Sequence, residues 1–186
     1  IVPIYKSDEA KEIVFPKLNE IREQLESKKI RVHVDDRSEL TPGYKFNDWE
    51  LKGIPLRIEI GPKDIEKQQV ILAKRYNREK ISIGFSEIEK IVTILDEIQK
   101  DMLKTARVKA SENTINISDY TEFKSKIGKG GFFNAYWCGK IECEEKIKEE
   151  TGADIRVIPF GSENTDGKCI YCQEQSIATP IFARGY

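Results

Sequence analysis

Residues 34–64 read VDDRSELTPGYKFNDWELKGIPLRIEIGPKD. The stretch opens at the end of an alternating run, Ile30 to Val34 (IRVHV), in which apolar side chains recur at every second position, the period of a half-buried strand. Asp35-Asp36-Arg37 ends that run, and Thr41-Pro42-Gly43 supplies turn residues. Tyr44 to Leu51 follows as a helical segment stopped by Gly53 and Pro55. Leu56 to Ile60 (LRIEI) alternates again and is terminated by Gly61-Pro62. Strand, helix and strand in close succession predict a layered α/β domain.

Upstream, Ile1 to Tyr5 reads as a short buried strand, a reading that Pro3 weakens. Ser7 with Asp8 and Glu9 is a helix start, and Ile13, Val14, Leu18, Ile21 and Leu25 form its apolar stripe. Pro16 lies inside the stripe, where its ring and missing N–H predict a kink or break. Downstream, residues 69–83 are expected to hold one or two short strands. Ser86-x-x-Glu89 has capping-box spacing, and Ile88, Ile91, Val92, Leu95, Ile98, Met102 and Leu103 recur with helical period behind it. A second unit is expected from near Val108. Its predicted order is strand (114–117), helix (119–127), glycine turn (128–131), strand (132–137), helix (143–150) and two strands (155–160 and 177–183). The expected domains are therefore 1–107 and 108–186, with no internal repeat and no low-complexity linker between them.

Composition excludes several classes. The 186 residues are 39% hydrophobic and 34% charged, with a mean hydropathy of −0.53, which argues against collagen-like, membrane-embedded and disordered chains. The longest uncharged run, residues 130–139, is far short of a membrane span. No basic and then apolar leader is visible at the start. The chain begins at Ile1 and its one methionine is Met102, so it is expected to be processed or cut from something longer. The formal charge of −1 excludes a uniformly basic coat. Residues 52–80 nevertheless hold eight basic and four acidic side chains, +4 against −5 for the rest. A local basic patch or a solvated surface accounts for that contrast.

The four cysteines, Cys138, Cys143, Cys169 and Cys172, pair as C-x4-C and C-x2-C, with 25 residues between the pairs. Zinc takes four soft ligands in a tetrahedron, and each short loop turns two sulfurs toward one point. Four thiolates and one Zn²⁺ would take the formal charge from −1 to −3, and Lys140, Lys146 and Lys168 lie close enough in sequence to offset it. Four thiolates leave no open position, so such a zinc is structural. Two disulfides or a redox C-x-x-C are the alternatives. The first needs an oxidising compartment, and the second a helix start after a strand, whereas Gly167 to Cys172 reads as a tight knuckle.

No phosphate-binding loop G-x-x-x-x-G-K-[ST] is present, and Gly128-Lys129-Gly130-Gly131 follows a helix rather than opening one. The sole histidine, His33, lies mid-strand and is expected to be structural or superficial. No self-contained active site assembles from these residues.

The stretch from Val34 to Asp64 closely resembles the anticodon-binding domain of prolyl-tRNA synthetase, a class II aminoacyl-tRNA synthetase. Trp137-Cys138-Gly139, the run from Cys143 to Ala153, Ile158-Pro159-Phe160 and the C-x2-C resemble the zinc-containing C-terminal domain of the archaeal and eukaryotic form of that enzyme. The ending Phe182 to Tyr186 resembles its tyrosine terminus, whose carboxylate the resemblance directs toward the catalytic domain. The implied fold is a class IIa anticodon-binding domain, a mixed sheet flanked by helices, followed by a small α/β zinc-binding domain. The implied enzyme joins proline to tRNA with ATP in a catalytic domain upstream of Ile1, so this chain alone is expected to be non-catalytic. The resemblance further implies a cytoplasmic setting, no membrane and a homodimeric full-length enzyme.

Proline anticodons carry two guanines. A carboxylate can accept from a guanine's N1–H and amine, and Arg or Lys can donate to O6 and N7. By resemblance Glu50 and Arg57 are assigned to base recognition, Lys63 and Asp64 to a loop facing the anticodon, and Lys80 to a further base contact. For each the alternative is a surface ion pair. Trp49, Tyr44 and Phe46 are of a type that stacks on bases, although aromatic residues at this spacing more often pack a core. Gln173 stands where zinc knuckles usually carry glycine. Two other functional classes compete with this reading: a free-standing RNA-binding adaptor that reuses the fold, and an independent α/β enzyme with a structural zinc.

Overall fold

A computed structural model describes residues 1–163 and 165–185. The chain divides into two compact units, Ile1–Lys104 and Thr105–Tyr186. Tyr186, and with it the expected contact of the terminal carboxylate, lies outside the described residues.

Unit one holds a four-stranded mixed sheet in the order β1 (Val2–Pro3), β2 (Leu56–Ile60), β3 (Gln69–Lys74), β4 (Lys80–Gly84). β1 runs parallel to β2, and the other pairs are antiparallel. One face of the sheet (Ile58, Ile60, Val70, Leu72 and Ile83) shares a core with α1 (Asp8–Ser27) and α4 (Lys90–Glu112). Alternation turns Arg57 and Glu59 to the opposite face, where α2 (Pro42–Leu51) supplies partners.

Several expectations change here. α1 runs unbroken through Pro16. The residue whose carbonyl loses its partner, Glu12, is exposed, as is Pro16 itself, so the site is not enclosed by the core. Ile13 is also exposed and does not belong to the buried stripe. Residues 30–34 alternate in burial but form no ladder. Just before β1, the Ile1 amine donates to the His33 carbonyl and the Asp35 N–H donates to the Ile1 carbonyl. Ser86-x-x-Glu89 does not form the capping box: two residues earlier Glu87 accepts from the Gly84 N–H in a 3-10 turn, and α4 starts at Lys90. Met102 and Leu103 are exposed, and α4 continues to Glu112, past the expected start of the second unit.

Unit two carries a second mixed sheet in the order β5 (Thr114–Asn116), β6 (Phe132–Asn134), β8 (Ile181–Arg184), β7 (Ala153–Val157). α5 (Tyr120–Ile127), N-capped by Asp119, and α6 (Ile141–Thr151) contribute Phe123, Ile127 and Ile147 to its core. Phe123 meets Phe133 and Phe182 edge-on, each at 5.7 Å between ring centroids. β6, β7 and β8 are shorter than the apolar runs predicted, because Trp137 and Ala178 form only an isolated bridge and Phe160 is fully exposed.

Candidate nucleic-acid interface and metal centre

Two networks place α2 over the polar face of the first sheet. In the first, Asp35 is 1% exposed. Its carboxylate accepts from Arg37 Nε and Nη2 at 2.8 and 2.7 Å and from Trp49 Nε1 at 2.7 Å. Lys45 Nζ donates to the Asp35 carbonyl, and Arg37 also reaches Asp48 at 2.8 Å. The Arg37 hydrogen bonds, reinforced by Trp49, outweigh burial and hold the Asp35 carboxyl well below the usual carboxylate range. Val34-Asp35-Asp36-Arg37 is thus a clamp on α2 rather than a simple strand end. His33 packs against Trp49 with centroids 4.5 Å apart, as a superficial structural residue.

The second network joins three of the five expected base-contact residues. Glu50 lies one turn after Phe46 on α2, and Arg57 is on β2. Lys80 on β4 shares a transverse row with Arg57, because both pair with Ala73. Arg57 Nη1 donates to Glu50 Oε1 at 2.9 Å, while Nε and Nη2 donate to Glu59 Oε1 at 3.1 and 2.9 Å. Lys80 Nζ donates to Glu59 Oε2 at 2.8 Å. The guanidinium sits 4.0 Å from the Phe46 ring centroid, with Lys80 Nζ at 5.4 Å. Arg57 and Glu59 side chains are 9% and 7% exposed, against 36% for Glu50 and 51% for Lys80. The group therefore opens outward at Glu50 and Lys80 and is closed at its base.

Glu59 was missing from the expected set. The signal was available in LRIEI, where Arg57 and Glu59 are two apart and share a face. Of the three aromatic candidates, Phe46 is the platform under Arg57, Trp49 is tied to Asp35, and Tyr44 is exposed.

Lys63 and Asp64 do not lie on a loop. They fall in α3 (Pro62–Glu66), because Pro62 has the fixed φ of a first helical position and Asp64 accepts from the Gly61 N–H at 2.9 Å. Among the described residues, no hydrogen bond or ion pair joins either one to the Arg57 group.

The four cysteines converge. Their sulfurs lie within 4.8 Å of one another, and Cys138 Sγ is 3.6 Å from both Cys143 and Cys172. A disulfide needs about 2.05 Å, so these thiols are unbridged. A tetrahedron with metal–sulfur bonds of about 2.3 Å has edges of about 3.8 Å, close to the two 3.6 Å separations at Cys138. Cys143 comes from the first turn of α6. Gly139, at φ 87, carries the chain past Ile177, whose Cδ1 lies 2.4 Å from where a Cβ would stand. Cys169 and Cys172 sit in a knuckle closed by Cys169 N–H to Glu174 O and Gln173 N–H to Cys169 O. Gln173 takes the left-handed φ of 62 that glycine usually supplies, so the knuckle forms despite the substitution.

Burial pushes the Cys143 thiol up. At Cys169 burial acts the same way but is outweighed by backbone N–H groups of Cys172, Tyr171 and Cys138, which favour the thiolate. These residues can hold a metal ion. Lys140 pairs with Glu174, and the nearby Cys172 and Cys138 add to the rise in its pKa, whereas Lys146 is committed to Glu149.

Comparison with known proteins matches both parts of the chain. A family model described as "Anticodon binding domain" matches residues 1–95, and one described as "Prolyl-tRNA synthetase, C-terminal" matches 120–186. Proline--tRNA ligases of Oceanobacillus iheyensis and Cenarchaeum symbiosum are 44% and 41% identical over the whole chain, which covers 38% and 39% of their lengths. A crystal structure of prolyl-tRNA synthetase from Cryptosporidium parvum, complexed with halofuginone and AMPPNP, superposes with a TM-score of 0.84 at 34% identity. It covers 100% of this chain, which spans 39% of that one.

Proposed function

The chain belongs to the prolyl-tRNA synthetase family, as the anticodon-binding and C-terminal part of that enzyme, and from this premise we propose that it reads the anticodon of tRNA(Pro) through the Arg57 group. The observation that carries the reading is the meeting of Glu50, Arg57 and Lys80 around Phe46 on one face of the sheet. A guanine edge offers N1–H and an amine to the outward carboxylate of Glu50, and O6 and N7 to donors on Arg57 and Lys80. Lys63 and Asp64 extend the site from α3, Lys63 as a cation for RNA and Asp64 chiefly by shaping the helix start.

The remainder of the enzyme supplies the ATP-dependent joining of proline to tRNA, acts in the cytoplasm and assembles as a homodimer. This part contributes recognition. The functional boundary lies at 107/108. The metal is zinc, held by Cys138, Cys143, Cys169 and Cys172, and its role is to close the second unit. No helix among the described residues is long and apolar enough to cross a membrane.

The test is a binding titration of this chain, at fixed and stated salt, against anticodon stem-loops carrying UGG or UCC. A clear preference for UGG is expected. Equal affinity for the two loops overturns the reading.

A further inference from the structure

Glu59 is a buried carboxylate in a site whose base contacts do not require it. Oε1 takes two hydrogen bonds from Arg57 and Oε2 takes one from Lys80. We propose that Glu59 is a positioning residue for anticodon reading, one that clasps Arg57 and Lys80 together and fixes their spacing beside Phe46. The proposal rests on the anticodon reading above.

Three observations carry it. The first is the count of donors. Arg57 has five N–H groups and Lys80 three. Glu59 takes two from Arg57 and one from Lys80, and Glu50 takes one more from Arg57. Two N–H groups then remain on each cation, enough for the two acceptors of a guanine's major-groove edge. The second is charge. Arg57, Lys80, Glu50 and Glu59 cancel to zero, so the cluster offers little generic attraction to phosphate. Without Glu59 two cations would face one carboxylate and would welcome any phosphodiester. The neutralising acid therefore acts against wrong ligands as much as for the right one. The third is rigidity. Arg57 and Glu59 are fixed by alternation on β2, and Lys80 by its row through Ala73, so the clasp is set by strand register rather than by a loop. Stability alone does not call for this arrangement, since a buried ion pair is commonly matched by apolar packing of similar volume.

The test compares this chain with its Glu59→Gln variant on stem-loops carrying UGG, UAG and UGA, at two salt concentrations, with thermal midpoints recorded. The variant keeps the side-chain size and leaves the cluster at +1. The expected result has three parts. Affinity for all three loops holds or rises, its salt dependence steepens, and the preference for UGG falls about tenfold. Weakening of all three loops in parallel, the mark of a purely structural role, overturns the proposal. An undiminished UGG preference overturns it too, while leaving the anticodon reading in place. Absence of UGG preference in the unaltered chain overturns both. If Glu59→Gln does not fold, Lys80→Met at the half-exposed position decides. Glu59 then still holds Arg57, so discrimination is lost at one guanine and kept at the other, and loss at both or at neither overturns the clasp.

Discussion

Arg57 is an interior residue that the proposed reading assigns to a base. Three charge-assisted hydrogen bonds and an aromatic platform hold it, and one of those bonds, to Glu50, lies on the side a base must approach. Glu50→Ala and Arg57→Ala are each expected to weaken binding of the UGG loop by about 1–3 kcal/mol, measured by titration at one salt concentration. The Glu50 variant is the cleaner of the two, because Arg57 keeps both hydrogen bonds to Glu59, whereas Arg57→Ala leaves the buried Glu59 Oε1 without its donors. Unchanged affinity in both would remove the site. Asp35 acts further back, on the placement of α2. Its folded pKa is depressed below the unfolded value near 3.9, so its stabilisation is fully present above that pH and is lost as pH falls through the folded pKa. Asp35→Asn is expected to cost unit one about 3 kcal/mol at pH 7 and to flatten the decline of its urea midpoint between pH 5 and pH 2. The carboxylates and cations of the binding group were legible as residue types along 50–80. Their sorting was not: linear order cannot show that Asp64 spends its oxygen on Gly61, or that Glu59 lies under both cations.

Among the elements, the alternating strand LRIEI and the recurrence of Ile88, Ile91 and Ile98 were readable because each buries one face against a single core, and burial enforces the period, whereas Ile94, buried in the same core, was not in the expected stripe. Residues 30–34 show the limit of that logic. Their apolar members do pack inward, but a ladder also needs a partner with free N–H and C=O groups, which alternation in one segment does not reveal. Pro16 shows another. Whether proline breaks a helix depends on where its ring and the orphaned carbonyl fall, and here both Pro16 and Glu12 are exposed residues. Because the ring still replaces a hydrogen bond in the interior of α1, Pro16→Ala is expected to raise the stability of unit one by about 1–3 kcal/mol, less the entropy proline removes from the unfolded chain. A thermal or urea midpoint measures this, and a loss of stability would mean that α1 is shaped by the proline rather than tolerating it.

For the whole molecule the two units should respond differently to loss of metal. Chelation is expected to unfold the chain beyond about residue 108 and to leave the helices of the first unit intact. Trp49 and Trp137 lie in different units, so single-tryptophan variants report each separately. Coincident loss of both signals would refute the boundary at 107/108. The order of strands in the second sheet has a consequence for synthesis. β8 is made after β7, yet it lies between β6 and β7. A ribosome adding about 5–20 residues per second delivers residues 181–184 about one to five seconds after β7. Through that interval β6 and β7 expose unpaired backbone edges, and Phe133 awaits the ring of Phe182. The nascent second unit therefore stays open to wrong edge pairing until β8 threads the gap.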